Sequence, residues 1–252
     1  MKKIYFAAFA FAIMSCSSDD SSETVNDPEF YRVKKLVTTY PDSDQVFTET
    51  FTYENGLLAS IDHDYSNDGQ GQDYKSIFTY QNGKMMKRER ELNGEVDYHW
   101  DLTYTGDQIT HSVDAAIQTV NTDYDYDTAG FLKNEVRAFP IGNSGSIIHY
   151  VYYYNILGNL FISASQNTTT GVITNDKEYE YDDKNFIYKN TYTNAFLKAI
   201  KGTENNKISE TNIATGTVVK SYEYEYNSGN YPSKVLTFNN GTLHSTQTIQ
   251  YE

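Results

Sequence analysis

The sequence predicts an all-β fold, a single antiparallel up-and-down meander of roughly 16–18 strands. The first indication is a short repeated sequence motif, which we call the phrase, seen at residues 51–58. There an aromatic residue, Thr and Tyr are followed by a polar turn with Gly and then by an apolar pair. The second is that turn signals return about every 8–12 residues, with β-branched and aromatic residues between them. The third is that the four prolines fall at strand ends and turns, as a sheet requires.

The first element of the chain is a basic and apolar segment that predicts a signal peptide at residues 1–15. Lys2 and Lys3 precede an apolar run that is far too short to cross a bilayer as a stable helix. Cys16 is the only cysteine, so it cannot form an intramolecular disulfide, and an unpaired cysteine in an exported protein needs an explanation. Residues 13–16, Ile-Met-Ser-Cys, resemble a lipobox. This resemblance implies lipidation of Cys16, and the alternative is ordinary cleavage that leaves a free thiol.

The next element, residues 16–29, is expected to be the lipidated cysteine and a flexible acidic tether. Its serines and carboxylates cannot bury enough apolar surface to order themselves. The segment is similar to the acidic stretch that follows the lipidated cysteine of surface-exported Bacteroidota lipoproteins. We therefore expect an outer-membrane, lipid-anchored protein displayed on the cell surface, and the alternative is a plain linker in the periplasmic leaflet.

Residues 30–252 are expected to form one domain of hairpin repeats. The phrase returns with a period of about 25 residues, which holds two strands and two turns. Its further copies lie at residues 78–83, 102–106, 124–130, 152–158, 179–182 and 224–229, and residues 249–251 form half of another. The second turn of each period is expected at residues 93–94, 142–145, 170–171, 215–216 and 240–241, where Asn and Gly tolerate positive φ. Only at residues 194–201 could a helical turn compete with a strand.

The strands are expected to form a flattened barrel or a strongly coiled sheet, because a chain of this size could hardly fill a round barrel of so many strands. If the first and last strands do not pair, the edges at residues 31–40 and 242–251 would need protection.

Alternation along the strands predicts which face points inward. Tyr222, Tyr224 and Tyr226 share one face of their strand, while Glu223 and Glu225 share the other. We expect the tyrosines inside, where the ring packs and the hydroxyl finds water or a backbone group. A charged outer face argues against a membrane pore, because a charge on a lipid-facing strand costs roughly 2–4 kcal/mol at the midplane.

The turn that contains Tyr126, Asp127, Gly130 and Phe131 resembles the YD repeat of the RHS family, whose repeats build a large β-sheet shell around a toxin. The pair at 181–182 keeps Tyr-Asp without the Gly. The chain is short for such a shell, and it is more similar to small Bacteroidota lipoproteins with such repeats. These include a family of unknown function described as porin-like in fold. The resemblance implies a fold and a cellular location, and it supplies no catalytic residues.

The charge of the chain bears on its partners. The formal net charge is −14, and cleavage of the signal peptide would remove two further positive charges. Such a surface repels phosphate backbones and anionic lipid head groups, so nucleic acid is not an expected partner. Besides the membrane anchor at Cys16, a glycan, a cationic peptide or another envelope protein is the expected partner.

Among candidate site residues, Trp100 is the most distinctive because it is the only tryptophan. On an exposed sheet face it could stack a sugar, whereas a buried packing role is the interpretation that we favour. No cofactor, metal ligand or catalytic residue is predicted. Asp123, Asp125 and Asp127 alternate along a strand too widely to converge on one Ca²⁺, and residues 62–64 are interpreted as a solvated strand end with His63 on the opposite face from its two acids.

The function predicted from the sequence is a non-enzymatic binding or accessory module of the cell envelope, because a degenerate repeat spreads its chemistry evenly. Two alternatives remain open: a glycan- or peptide-directed hydrolase with its site in the barrel mouth, and a purely structural repeat scaffold. Converging carboxylates in a deep pocket would favour the hydrolase. A filled interior would favour the scaffold.

Overall fold

The computed structural model describes residues 31–66, 71–115, 119–139, 146–200 and 202–252. Within these ranges the chain forms sixteen strands and one helix. These are β1 Val33–Thr39, β2 Val46–Glu54, β3 Leu57–Ser66, β4 Tyr74–Gln81, β5 Lys84–Leu92, β6 Glu95–Thr105, β7 Gln108–Ala115, β8 Thr119–Tyr126, β9 Leu132–Phe139, β10 Ser146–Tyr154, β11 Leu160–Gln166, β12 Ile173–Tyr181, α1 Asn194–Ala199, β13 Lys207–Asn212, β14 Thr217–Tyr226, β15 Pro232–Asn239 and β16 Thr242–Tyr251.

Several predictions from the sequence fall beyond those ranges. The signal peptide, Cys16, the tether and the turn at residues 142–145 lie outside the described residues and stay predictions. Across the described ranges, no helix has the length and apolar character that a membrane crossing requires.

The predicted meander closes into a barrel. Every strand pairs antiparallel with the next one in sequence, and β1 pairs with β16, with Leu36 opposite Ile249. Backbone hydrogen bonds between Arg32 and Glu252, 3.3 and 3.0 Å long, extend this seam past the last strand residue. The all-β prediction is therefore confirmed, and the first and last strands protect each other.

Tight turns join the strands at both ends of the barrel. The repeat turns at residues 55–56, 82–83, 106–107, 127–131, 155–159 and 227–231 lie at one end, which we call the turn end, and the opposite end is called the far end. Asn55 and Gly56 have φ of 50° and 79°, and Asn93 and Gly94 at the far end have 54° and 81°. Positive φ at two successive residues is the geometry that Asn-Gly supplies at low cost.

A β-bulge follows each turn of the turn end. The register shifts lie at Thr52/Tyr53, Thr79/Tyr80, Thr103/Tyr104, Asp125/Tyr126, Tyr153/Tyr154, Glu180/Tyr181 and Glu225/Tyr226. The tyrosine near the end of the strand before each of these turns, which we call the repeat tyrosine, usually lies opposite an apolar residue at the start of the next strand. Leu58, Met85, Ile109 and Leu132 occupy this position and are almost fully buried. The bulges therefore lie at the base of the core and increase the local twist of the strands.

In several copies of the phrase, a tyrosine hydroxyl donates to a backbone carbonyl of the preceding strand. Met85 lies beyond the last ladder pair between β5 and β6, Lys87 opposite Asp101, and the Tyr104 hydroxyl donates to the Met85 carbonyl at 2.6 Å. The same bond joins Tyr53 to Val33, Tyr126 to Ile109, Tyr224 to Lys207 and Tyr251 to Pro232, at 2.6–2.8 Å. Because a buried carbonyl without a partner is costly, these tyrosines are structural residues of the repeat.

The predicted faces are confirmed for the tyrosine ladder. Tyr222 and Tyr224 pack against the hydrophobic core, while Glu223 and Glu225 on the same strand are exposed. The core itself is a ring of apolar residues near the turn end.

The segment between β12 and β13, described at residues 182–200 and 202–206, fills much of the lumen near the turn end. Its aromatic residues cross to strands about half the barrel circumference away. Tyr188 packs on Phe51 of β2, Tyr192 packs on Phe78 of β4, and Phe196 of α1 packs on Trp100 of β6, with ring centroids 6.5, 6.2 and 5.5 Å apart. We call residues 182–206 the plug. It explains how a chain of this size fills a sixteen-stranded barrel, and it contains the predicted helical turn.

The plug is inserted into an ordinary repeat turn. In the turn at 127–131, Asp127 Oδ1 accepts from the amides of Ala129 and Phe131 at 2.9 Å, and the Asp127 amide donates to the Phe131 carbonyl. Asp182 Oδ1 accepts in the same way from Lys184 and Asn206 at 3.0 Å, and its amide donates to the Asn206 carbonyl. Asn206 therefore takes the place of Phe131, so the Tyr-Asp pair persists here while the Gly that would follow it is absent.

Candidate functional site

A cavity of about 630 Å³ lies in the lumen between the plug and strands β10 to β16. We call it the tyrosine chamber, after the six tyrosines of its wall: Tyr150, Tyr152, Tyr179, Tyr181, Tyr222 and Tyr224. Its floor is formed by Phe186, Ile187, Tyr188 and Ile200 of the plug. Polar residues of the wall include Ser163, Asp176, Lys177, Lys207, Thr237 and Gln247. The Lys177 side chain is 43% exposed, so solvent reaches the chamber.

The rings of the chamber are held in place by their own hydroxyl groups. The Tyr222 hydroxyl donates to Glu210 Oε1 at 3.0 Å, and that of Tyr224 donates to the Lys207 carbonyl at 2.6 Å. The Tyr179 hydroxyl lies 2.9 Å from Ser163 Oγ. On β10, the Tyr152 hydroxyl donates to Glu135 Oε2 at 2.6 Å. A ligand that enters the chamber therefore meets aromatic surfaces that need little reorganisation.

One hydroxyl of the chamber differs from these. Tyr181 Oη is buried and has no hydrogen-bond partner among the described residues. Burial raises the pKa of Tyr181 well above its usual value, so the group stays a neutral hydroxyl. A buried hydroxyl without a partner costs free energy.

Charges at the chamber wall are arranged around one carboxylate. Glu210 is buried, and its two oxygens lie 3.2 Å from Lys177 Nζ and 3.0 Å from Lys207 Nζ. Burial alone would raise the pKa of Glu210, but the two lysines outweigh burial and lower this pKa to about 2. Asp176 accepts a hydrogen bond from Ser165 Oγ at 3.2 Å. Two positive and two negative charges thus balance at this wall.

Trp100, the ligand-binding candidate from the sequence, lies inside the barrel. Its ring packs on Phe196, and it lines a second cavity of about 280 Å³ together with Arg88, Glu135 and Arg137. Glu135 is buried and accepts from Arg137 Nε at 2.5 Å. This placement agrees with the packing role that we favoured, and a role in binding stays a prediction.

The other acidic candidates do not come together. Asp123 lies 2.7 Å from His111 Nδ1, Asp125 accepts from the Asn134 side chain, and Asp127 caps its own turn. Within the described ranges, no cluster of three or more metal-ligating side chains is found.

The interpretation of residues 62–64 needs one correction. His63 does point away from Asp62 and Asp64, as predicted, but it is not part of a solvated strand end. It is buried between the rings of Phe47 and Tyr74, and its Nε2 lies 3.1 Å from Ser76 Oγ.

The charged residues of the chamber were missed in the sequence. Glu210 and Lys207 are two among many charged residues in alternating strands, and a spacing of three residues would place them on opposite faces of a regular strand. A bulge at residues 207–208 on β13 brings both to the chamber wall. Lys177 shares the inward face of Tyr179 and Tyr181 by simple alternation along β12. A signal for the plug did exist, because the Tyr-Asp pair at 181–182 is followed by an aromatic segment where a turn Gly is expected.

Comparison with known proteins supports the fold. No protein-family model matches the chain, and no curated protein matches its sequence. The chain is similar in structure to a porin-like protein from Bacteroides uniformis, with a TM-score of 0.60 and 13% identity over 87% of this chain and 96% of that one. A porin-like protein from Bacteroides vulgatus matches with a TM-score of 0.42 and 17% identity over 88% and 99% of the two chains. The first similarity confirms the expected porin-like fold.

Proposed function

We propose that the protein is a non-enzymatic barrel of the outer envelope, anchored by a lipid at Cys16 and displayed on the cell surface, and that it acts as a binding or accessory module through its lumen. One observation carries this proposal. The plug closes the lumen near the turn end and leaves a solvent-accessible chamber of fixed aromatic rings on its other side. Concave, mostly apolar sites with a few placed polar groups are the usual form of small-molecule binding sites.

The outer face of the barrel supports a lipid anchor over a membrane-spanning barrel. Asp62 and Asp64 on β3, Asp123 and Asp125 on β8 and Glu223 on β14 are exposed on the outside of their strands. A barrel that spans a bilayer needs an apolar outer band, and charges within that band are destabilising. An anchor at Cys16 would hold such a charged barrel at the membrane without inserting it.

The two alternatives are less well supported. A glycoside hydrolase of the usual two-carboxylate type needs a carboxylic acid with a raised pKa as its proton donor, whereas the two lysines lower the pKa of Glu210 at the chamber wall. A purely structural scaffold would be expected to have a filled interior, whereas the chamber is a sizeable space. Binding in the lumen is therefore the function that the geometry supports best.

The anchoring part of the proposal is tested by fractionation of cells that express Cys16→Ala, with Ser17→Ala as the matched control. We expect Cys16→Ala to appear in the soluble fraction and Ser17→Ala to remain with the membranes. Cys16→Ala that stays in the membrane and resists extraction at high pH would contradict the anchor and favour a spanning barrel.

A further inference from the structure

We infer that the tyrosine chamber binds a neutral oligosaccharide, an inference that rests on the proposed binding function and names its ligand class. The first argument is the shape of the aromatic wall. Tyr179, Tyr222 and Tyr224 are fixed by hydrogen bonds to the barrel, and Tyr150 and Tyr152 are stacked with ring centroids 6.4 Å apart. Fixed ring faces suit the flat C–H surfaces of sugar rings, because a tyrosine joins an apolar ring to a polar edge.

The polar groups of the chamber can both donate and accept hydrogen bonds. Lys177 uses one contact on Glu210 and retains further N–H groups. Asp176 takes one hydrogen bond from Ser165 and has a second carboxylate oxygen. Sugar hydroxyl groups donate and accept at the same atom, so they satisfy both kinds of group. An anion would use only the donors, and a cation only the acceptors.

The charge balance argues in the same direction. Lys177 and Lys207 are matched by Glu210 and Asp176 at the chamber wall, so the wall offers no net charge to an ionic ligand. The chain as a whole carries a formal charge of −14, which disfavours an anionic ligand further. A neutral ligand needs no net charge on the wall, and the negative charge of the chain does not repel it.

The volume fits a short oligosaccharide. A cavity of about 630 Å³ lies within the range of sites that enclose small-molecule ligands. An apolar amphiphile is the main competitor for such a space. An apolar body would leave the further N–H groups of Lys177 and the second carboxylate oxygen of Asp176 without partners, and each buried polar group left unpaired weakens binding.

The test is isothermal titration calorimetry of the full-length protein with a panel of neutral gluco-, galacto-, manno- and xylo-oligosaccharides. Tyr150→Ala removes an inward ring of β10, and Tyr153→Ala removes a tyrosine from the same strand that is 43% exposed. We expect the oligosaccharide that binds to lose about tenfold in affinity in Tyr150→Ala and to bind Tyr153→Ala like the parent protein. Asp176→Asn, which keeps the side-chain shape, is expected to weaken binding as well. It replaces Tyr150→Ala as the test of the site if Tyr150→Ala does not fold.

Different outcomes of these titrations bear on the site, on the ligand class and on the binding function. Binding that survives both Tyr150→Ala and Asp176→Asn would overturn the site. If no oligosaccharide of the panel binds, the ligand class is overturned. In that case the neutral apolar dye N-phenyl-1-naphthylamine is titrated: dye binding that is lost in Tyr150→Ala would leave lumenal binding in place with an apolar ligand. Failure of both probes would contradict the binding function itself, independently of where Cys16→Ala fractionates.

Discussion

The bond between Tyr104 and the Met85 carbonyl gives a sharp prediction about what the repeat tyrosines do. Tyr104→Phe removes only the hydroxyl and leaves the packed ring in place. The Met85 carbonyl, 2.6 Å away on a fully buried residue, would lose this partner. Burial raises the pKa of Tyr104 to about 12. A buried acceptor left unpaired costs about 1–3 kcal/mol, and we expect a loss of that size in the free energy of unfolding.

Tyr80 supplies a matched control from the equivalent position of the preceding repeat. Its hydroxyl is also buried, but it has no partner among the described residues. Tyr80→Phe therefore removes an unsatisfied polar group without breaking a bond, and we expect a change between zero and a stabilisation of about 1 kcal/mol. Urea unfolding followed by circular dichroism measures both values, with equal m-values as the check that both variants unfold in the same way.

The comparison has a clear contrary result. If Tyr104→Phe and Tyr80→Phe change the free energy of unfolding equally, the hydroxyl bond does not stabilise the barrel. The repeat would then use tyrosine for its ring alone.

Three further predictions concern the plug and the titratable groups. Asp182→Ala removes the carboxylate that accepts hydrogen bonds from both ends of the plug. We expect urea unfolding to show a loss of about 2–4 kcal/mol in the free energy of unfolding, whereas the control Asp183→Ala, at an exposed residue, should cause almost no loss. The pKa of Glu210 is lowered from 4.5 to about 2, so its ionised form contributes about 3 kcal/mol to the free energy of unfolding above pH 4.5. This contribution is lost as pH falls towards 2. Acid unfolding of Glu210→Gln should therefore lack this part of the pH dependence. Burial raises the pKa of Tyr53 and Tyr124 to about 12, so the free energy of unfolding should fall as pH rises above 10, which urea unfolding at a series of alkaline pH values measures.

The strands and turns could be predicted from the sequence because they depend on local chemistry. Asn55-Gly56 and Asn93-Gly94 have the positive φ that their residue types favour, and the alternation of Tyr222 with Glu223 places one inside and the other outside. These are short-range rules that act within one hairpin.

Barrel closure and the path of the plug could not be predicted, because they depend on contacts far apart in sequence. The pairing of Leu36 with Ile249 and the packing of Tyr188 on Phe51 join residues that no local pattern connects. The aromatic residues of the plug are typical of a strand by propensity alone, and tertiary packing decides their conformation.

The inward charges were missed for a different reason. A bulge of one residue changes which side chains of a strand face the lumen, and the bulge at residues 207–208 brings both Lys207 and Glu210, three residues apart on β13, to the chamber wall. Since bulges leave little trace in a polar strand, the charged part of the candidate site became visible only in the folded barrel.

The plug seals the lumen on one side, and the chamber on its other side is accessible to solvent. The most direct measurement is thiol labelling of two single-cysteine variants in a Cys16→Ala background. Thr237→Cys places the thiol in the chamber wall, and Ala199→Cys places it in the buried face of α1. We expect a small charged methanethiosulfonate reagent to label Thr237→Cys readily and to label Ala199→Cys only as the barrel unfolds. Equal rapid labelling of both variants, or protection of Thr237→Cys, would contradict the account.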